Sequence, residues 1–591
     1  MVSRPGLPKI VSADRPEVEA HAVPVIQIAR TAPRAMPQAP RAETRPCFAS
    51  SWIDSVSSRE GAPMTRYDVS GVEVSIHSPA DASTGIYAID PPEYHLSPAH
   101  LQVLSEAISQ ISRILPTDVE LNSLGMARPY IKAKARDSLY SRLAAKADDG
   151  TPTEQLEKEA ERLAEMLCKY TAGYGVLETL LEDGVVQDIY VDAPSGQTPV
   201  QAVLRSDAMP GVRQKCRTNI FIGRRDLQGL VSRIKFETGL PFSEAHPVLE
   251  ADMRRLGARV TLVGPPLSDK GVSIAIRKHS ESVWTMPRLI ANGSLSPLLS
   301  SFLWACVLGR RTVLIAGSRG AGKTTLLGSM LLEFPLSQRI LLIEDTPEIP
   351  ARRLQDLGYD LQALRFYSEN GSKATSAHDA LRVSLRMGES AIVIGEVRGE
   401  EAKVLYESMR AGSAGSAVLG TIHGNSAEGV LDRAVEDLGV SERAFSSTDI
   451  VVVIGLIRAP DGTRFERRVV EVAEVREHGD SVELVPLFGI RPGCSCAMPT
   501  DSFSLESKTV RGIAGALGVS PEQVMEIMKT RAHADQVMSE AVGRRKAGRA
   551  SDDDSSRVRS NEMLTRALFG PDGPESGLRS WRAWYGSQNG A

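Results

Sequence analysis

At 591 residues the chain is longer than one hydrophobic core organises, so it divides into several structural units. Apolar residues make up 42% and charged residues 24%, the balance of an ordinary folded protein. A formal net charge of −4 gives no general case for nucleic acid or an anionic lipid surface as the main partner, and six scattered cysteines fit reduced thiols better than a disulfide framework.

Residues 1–64 are rich in Pro, Arg, Ala and Ser without apolar periodicity, which predicts a disordered arm. The first charges have no continuous apolar stretch behind them, so no secretory signal is read there. From 65 to 168, strand-like pieces precede helical patterns such as TEQLEKEAERLAEMLCKY, predicting a mixed or helical N-terminal domain. Residues 169–280 alternate short strand candidates, among them ARVTLV and VSIAIRK, with a helical piece; this predicts an α+β domain. A linker over 281–298 leads to 299–491, where TVLIAG, RILLIED, AIVIGEV, AVLGTIH and IVVVIGL are spaced by helical stretches, the rhythm of an α/β domain with a mostly parallel sheet. The apolar run SPLLSSFLWACVLGRRTVLIAG is broken by serines, Gly309, Arg310 and Arg311, short of the roughly 20 residues a membrane span needs. Residues 492–591 predict one good helix opening at Ser520-Pro521, then past Arg549 a run of Asp and Ser and then Gly and Pro that predicts disorder with at most one short helix.

Gly317-Ser318-Arg319-Gly320-Ala321-Gly322-Lys323-Thr324, followed by Thr325, matches the phosphate-binding loop pattern between a strand and a helix. The glycines let backbone N–H groups converge on phosphates at a helix N-terminus, Lys323 adds a point charge, and Thr324 is placed to ligate Mg2+. Arg319 reads either as a phosphate-adjacent cation or as a solvated loop charge.

Phosphoryl transfer to water calls for carboxylates at the C-terminal ends of neighbouring strands. RILLIEDTPEIP ends with Glu344 and Asp345 and adds Glu348; AIVIGEVRGEE ends with Gly395-Glu396 and continues to Arg398. This pattern predicts that Glu396 polarises water or completes a Mg2+ shell, with Glu344 and Asp345 supplying the other carboxylates. A third strand end, AVLGTIHGN, carries Thr421 and His423; His423 reads either as a γ-phosphate sensor or as an interface hydrogen bonder.

Together GSRGAGKTT, LLIEDTPEIP, VIGEVRGEEA and GSAGSAVLGTIHGNSAEGVLDR resemble the Walker A, Asp box, atypical Walker B and His box of the type II/type IV secretion ATPase superfamily. YGVLETLLEDGVVQDIYVD is similar to the opening of its N-terminal domain, and the whole resemblance runs from about Thr171 to Pro486. It implies a RecA-like P-loop domain preceded by a smaller α+β domain, ATP and Mg2+ as ligands, and a homo-hexameric ring. It further implies a cytoplasmic protein, peripheral at the membrane, acting on a polytopic membrane platform protein to assemble a pilus-like filament or secrete protein. The resemblance makes Arg259 and Arg277 the arginines that reach the γ-phosphate across the cleft, with Arg254 and Arg255 as further candidates. The wording around the His box is most similar to archaeal members. Arg319 and Ala321 depart from the usual loop pattern, and the Cys-rich insertion of the type II branch is missing. A DNA translocase and a nucleotide-binding scaffold without turnover stay as alternatives.

Overall fold

The computed structural model describes residues 46, 48–54, 63–79, 83–111, 124–147, 151–205, 213–253, 255–279, 283–366, 377–384, 386–388, 391–399, 401–410, 417–458, 465–479, 481–491, 494, 496–544 and 553–589. Most of the expected disordered arm lies outside them, as does Arg254.

The N-terminal half is built on a nine-stranded sheet. In chain order its strands, with one short pair beside it, are β1 (Trp52–Ile53), β2 (Thr65–Val69), β3 (Val72–His77), β4 (Gly85–Asp90), β5 (Val186–Val191), β6 (Gln201–Leu204), β7 (Lys215–Thr218), β8 (Ile220–Phe221), β9 (Val248–Met253), β10 (Ala258–Val263) and β11 (Ser273–Lys278). The sheet order is β2-β3-β4-β7-β6-β5-β11-β10-β9, and β1 pairs separately with β8. Period-two patterning explains the faces: along β10, Ala258, Val260 and Leu262 are buried while Arg259, Thr261 and Val263 alternate outward, as one-sided burial of a strand requires.

Two features depart from the division read in the sequence. Strands β2–β4 join the sheet of the following domain, with Gly85 opposite Cys216, so residues 65–90 are not part of a separate N-terminal unit. That unit is reduced to the helices Pro98–Ile111, Leu124–Lys146 and Thr153–Thr171, which share their own apolar cluster. Residues 48–54 of the expected arm are also ordered: Asp226 accepts the backbone N–H groups of Ser50 and Ser51, and Trp52 stacks on Phe221 with ring centroids 5.3 Å apart.

The second nine-stranded sheet comprises β12 (Thr312–Gly317), β13 (Ile340–Glu344), β14 (Leu361–Arg365), β15 (Ala391–Val397), β16 (Val418–Ile422), β17 (Ile450–Arg458), β18 (Phe465–His478), β19 (Ser481–Gly489) and β20 (Met498–Pro499). Its order is β14-β13-β15-β16-β12-β17-β18-β19-β20. From β14 to β17 the pairing is parallel, and β17 to β20 form an antiparallel meander. Helices cover both faces of the parallel part, which is why β12 and β13 read as continuous apolar runs and are buried throughout.

The segment expected as a linker carries the helix Met286–Ala291, whose Met286 and Leu289 enter the core. The apolar run read for membrane length folds as two elements, β12 and before it the 12-residue helix Pro297–Leu308, started by the Ser296 hydroxyl accepting the Leu299 N–H. Being apolar all round, it is buried on every side, and the C-terminal helix Pro521–Arg544 closes its far face. No helix among the described residues is long and apolar enough to cross a membrane.

Beyond Arg549, where disorder was expected, the helices Asp553–Leu568 and Pro574–Asn589 pack onto the same core with Trp581 buried. What holds them is remote in sequence. Arg531 donates to Glu333, Asp535 and Asn561, Arg557 donates to Glu333, Ser300 donates to Asp535, and the Arg531 guanidinium lies 4.8 Å from the Trp304 ring.

Candidate nucleotide site

β12 ends at Gly317, and the helix Lys323–Leu331 begins six residues later. The turn between them needs glycine: Gly322 has φ +102°, a conformation L side chains rarely adopt. No side chain caps this helix, so its N-terminal N–H groups and dipole are directed at the loop, the arrangement that receives phosphate. Lys323 is buried, its Nζ donating to the carbonyls of Gly317 at 3.0 Å and Ser318 at 3.2 Å. Burial lowers its pKa, with Glu396 and Glu348 opposing that shift and Arg433 adding to it. A desolvated cation held by neutral acceptors gains when a phosphate replaces the two carbonyls, so the donor set fits a nucleotide phosphate.

The three strand ends converge on this lysine. His423, just past β16, places Nδ1 3.4 Å from Lys323 Nζ and Nε2 2.7 Å from Glu396 Oε1. Lysine only donates and a carboxylate only accepts, which assigns the ring proton to Nε2. The Thr421 hydroxyl donates to the Gly395 carbonyl at 2.5 Å and ties β16 to β15. Glu396 also lies 3.4 Å from Arg398, which pairs with Asp345. Lys323, His423, Glu396, Arg398 and Asp345 thus form one continuous chain of contacts.

Glu344 takes a different position from the one read in the sequence. Its Oε1 accepts the backbone N–H groups of Glu348 and Ile349 at 3.1 and 3.2 Å, and the residue is only 6% exposed. Gly395 makes room for it, since a Cβ there would stand 2.8 Å from Glu344 Cγ. That close approach accounts for the Gly-Glu ending of β15. The carboxylate that meets the loop threonine is Glu348, whose Oε2 accepts the Thr324 hydroxyl at 2.7 Å. Thr324 and Glu348 together offer the hard oxygen donors that suit Mg2+.

Burial raises the Glu344 pKa to about 7, against the two amide hydrogen bonds, which lower it. A carboxyl with a raised folded pKa loses stability as pH climbs from its unfolded value through the folded one, and the full cost is present above about 7. Glu344→Gln keeps an acceptor for the amides without the charge. We expect it to be near neutral at pH 4.5 and to stabilise the protein at pH 8 by on the order of 1–3 kcal/mol; thermal unfolding at the two pH values checks this, and equal shifts at both would contradict it.

The N-terminal sheet supplies the opposite wall. Arg259 Nη1 donates to the Thr346 hydroxyl at 3.0 Å and Nη2 to Glu250 at 3.1 Å. Arg277 is held by Asp188 at 2.8 Å and feels the charge of Glu348. Arg319 is exposed on the loop near enough to Tyr190 to offset part of the rise that burial and Asp188 impose on that hydroxyl. Arg255 is turned away, 4.0 Å from Glu237. Arg365, Arg398 and Arg467 were not singled out as site residues from the sequence; Arg467 donates to the Gly320 carbonyl at 2.9 Å. An arginine on a strand carries no motif signal of its own: β18 reads FERRVVEVAEVREH, and nothing in that pattern separates Arg467 from its neighbour Arg468.

A sequence profile described as type II/IV secretion system protein matches residues 188–563. An uncharacterized protein of Methanocaldococcus jannaschii is 31% identical over 248 residues, covering 41% of this chain and 87% of the relative. A putative conjugal transfer protein of Mycobacterium tuberculosis is 28% identical over 331 residues, 55% of this chain and 90% of the relative. The type IV secretion system protein PtlH of Bordetella pertussis is 32% identical over 262 residues, 38% and 74%. Among solved structures, the VirB11 ATPase of the Brucella suis type IV secretion system aligns at TM-score 0.25 and 24% identity, over 50% of this chain and 92% of that one. The Legionella pneumophila ATPase DotB aligns at TM-score 0.36 and 16% identity, over 62% and 92%. The matched profile takes in the cleft-facing strands of the first sheet, the phosphate loop and all three strand ends that meet it, and the chain belongs to the type II/IV secretion system family, as one of its ATPases.

Proposed function

We propose that the chain is the motor subunit of a homo-hexameric ring that hydrolyses ATP with Mg2+. Docked by a polytopic membrane platform protein at the inner face of the cell membrane, it powers filament assembly or protein secretion. One observation carries the reading: a cleft with the phosphate loop, the Glu348 and Glu396 carboxylates on one wall and Arg259 and Arg277 on the other. Thr324 and Glu348 would hold Mg2+, which supplies charge neutralisation at the phosphates when bound.

The residues divide the remaining work. Lys323 exchanges its two carbonyls for phosphate oxygens. Glu396, oriented by the His423 Nε2–H, accepts the proton of the attacking water. Arg259 and Arg277 neutralise charge that develops on the transferred group, and their reach across the cleft links nucleotide state to domain closure. Asp345 with Arg398 keeps the acidic turn against β15, and Glu344 shapes that turn through its amides.

Platform docking is assigned to the helices between 98 and 171 and the arm before them. A deletion of everything before Thr171 would cut β2–β4 out of the first sheet, so a docking test must leave 46–90 in place. An archaeal branch is supported by the Methanocaldococcus relative, while bacterial relatives match at similar identity.

A second reading, a DNA-translocating motor, is prompted by the name of one relative, a putative conjugal transfer protein. The two separate in one assay: hydrolysis by purified protein with duplex DNA or with anionic vesicles. The secretion reading expects DNA to change the rate by less than about twofold, since a net charge of −4 offers little counterion release; stimulation by DNA alone would replace it with the translocase.

A further inference from the structure

An arginine outside the motifs bridges the cleft. Arg365 ends β14, paired in register with Glu344 at the end of β13. Its Nε donates to the Asp345 carbonyl at 3.1 Å, and its Nη1 donates to Asp252 Oδ2 at 2.8 Å. Asp252 belongs to β9 of the other sheet, with a side chain only 5% exposed, and its Oδ1 lies 3.2 Å from His279 Nε2. The register of β9 and β10 sets Asp252 opposite Arg259, which reaches the next residue of the turn, Thr346. The N-terminal sheet therefore grips the acidic turn at two consecutive residues, 345 through Arg365 and 346 through Arg259.

Two properties make the Arg365 bridge more than a surface ion pair. Burial of Asp252 keeps the pair in low dielectric, where its attraction is least screened. A guanidinium is planar, so fixing one N–H on Asp252 and another on the Asp345 carbonyl fixes the angle between strand and turn, which a single ammonium does not do.

We propose that Arg365 is a positioning residue that, with Asp252, clamps the turn 345–349 to the N-terminal sheet. This is the turn whose amides hold Glu344 and whose Glu348 takes the Thr324 hydroxyl. Opening of the cleft at Asp252 then loosens the carboxylates of the nucleotide site, and closure sets them. The link to catalysis rests on the proposed function; the clamp itself does not.

The test uses the full chain with Asp252→Asn, Arg365→Gln, the double variant and Arg365→Lys. Hydrogen exchange at the Glu348 and Ile349 amides is read without nucleotide, and kcat and KM are read with Mg-ATP. Each single variant is expected to speed exchange about tenfold, the double no more than either single, because both remove one bridge. kcat should fall by a similar factor with KM within about threefold, the signature of lost positioning rather than lost binding. Arg365→Lys should stay loosened. Unchanged exchange in Asp252→Asn, multiplying effects in the double variant, or full rescue by lysine would overturn the clamp. Faster exchange with unaltered kcat would keep the clamp and remove the acidic turn from the chemistry.

Discussion

Glu396→Gln is expected to lower kcat by roughly two to three orders of magnitude, the range lost when a general base is removed, while ATP affinity holds or improves. The sign of the binding change follows from the geometry. Glutamine still accepts the His423 Nε2–H, so the ring stays in place, but the negative charge that faces Lys323 is gone. Lys323 then has one competitor fewer for phosphate. Arg398 loses one of its two carboxylates and keeps Asp345. Single-turnover hydrolysis and equilibrium binding of a nucleotide analogue separate the two effects. A variant that turns over at near the parent rate would move the base to another group; one that loses binding would make Glu396 structural.

The second large effect lies far from the cleft. Arg531→Met should destabilise the ATPase domain by about 3–5 kcal/mol, because removing one member of a buried ionic network leaves its partners uncompensated. Arg531 and its partners Glu333 and Asp535 are all fully buried. Arg557 still faces Glu333 in the variant, but among the described residues Asp535 keeps only Ser300 and a contact of 3.6 Å to Arg557. Glu333 stands two residues past the helix that starts at Lys323, so undocking of the C-terminal helices frees the distal end of the phosphate-loop helix. Urea unfolding measures the loss, and a change below about 1 kcal/mol would show that the network is replaceable by packing alone.

Local order was legible where a short stretch carries its own geometry. The phosphate loop shows this, since glycine spacing, Lys323 and the strand and helix on either side are a single continuous segment. The acidic strand ends were legible as a group, yet not which acid does what. Glu344 and Glu348 sit four residues apart, and only the turn between them sends one to backbone amides and the other to Thr324. In hindsight Gly395 was a signal, because a glycine before a strand-end acid marks a close neighbour.

Contacts between distant segments were not legible. β4 finds β7 more than a hundred residues on, and the Arg557–Glu333 pair spans 224 positions. The tail beyond Arg549 reads as mostly disordered because of its run of Asp and Ser followed by Gly and Pro, and a polar segment held by the buried Arg557 gives no amphipathic signal. Arg365 carries no signal in the sequence for the same reason: its meaning comes from Asp252, on another sheet.

The measurement that bears most directly on the central claim is the Mg2+-dependent ATP turnover per subunit of the purified chain across a concentration series. A ring motor whose cleft is completed by domain closure predicts a rate per subunit that rises with concentration to a plateau and disappears in Glu396→Gln. A rate per subunit independent of concentration would contradict the ring, and no turnover at any concentration, with ATP bound, would contradict the assignment of Glu396 and its neighbours to hydrolysis.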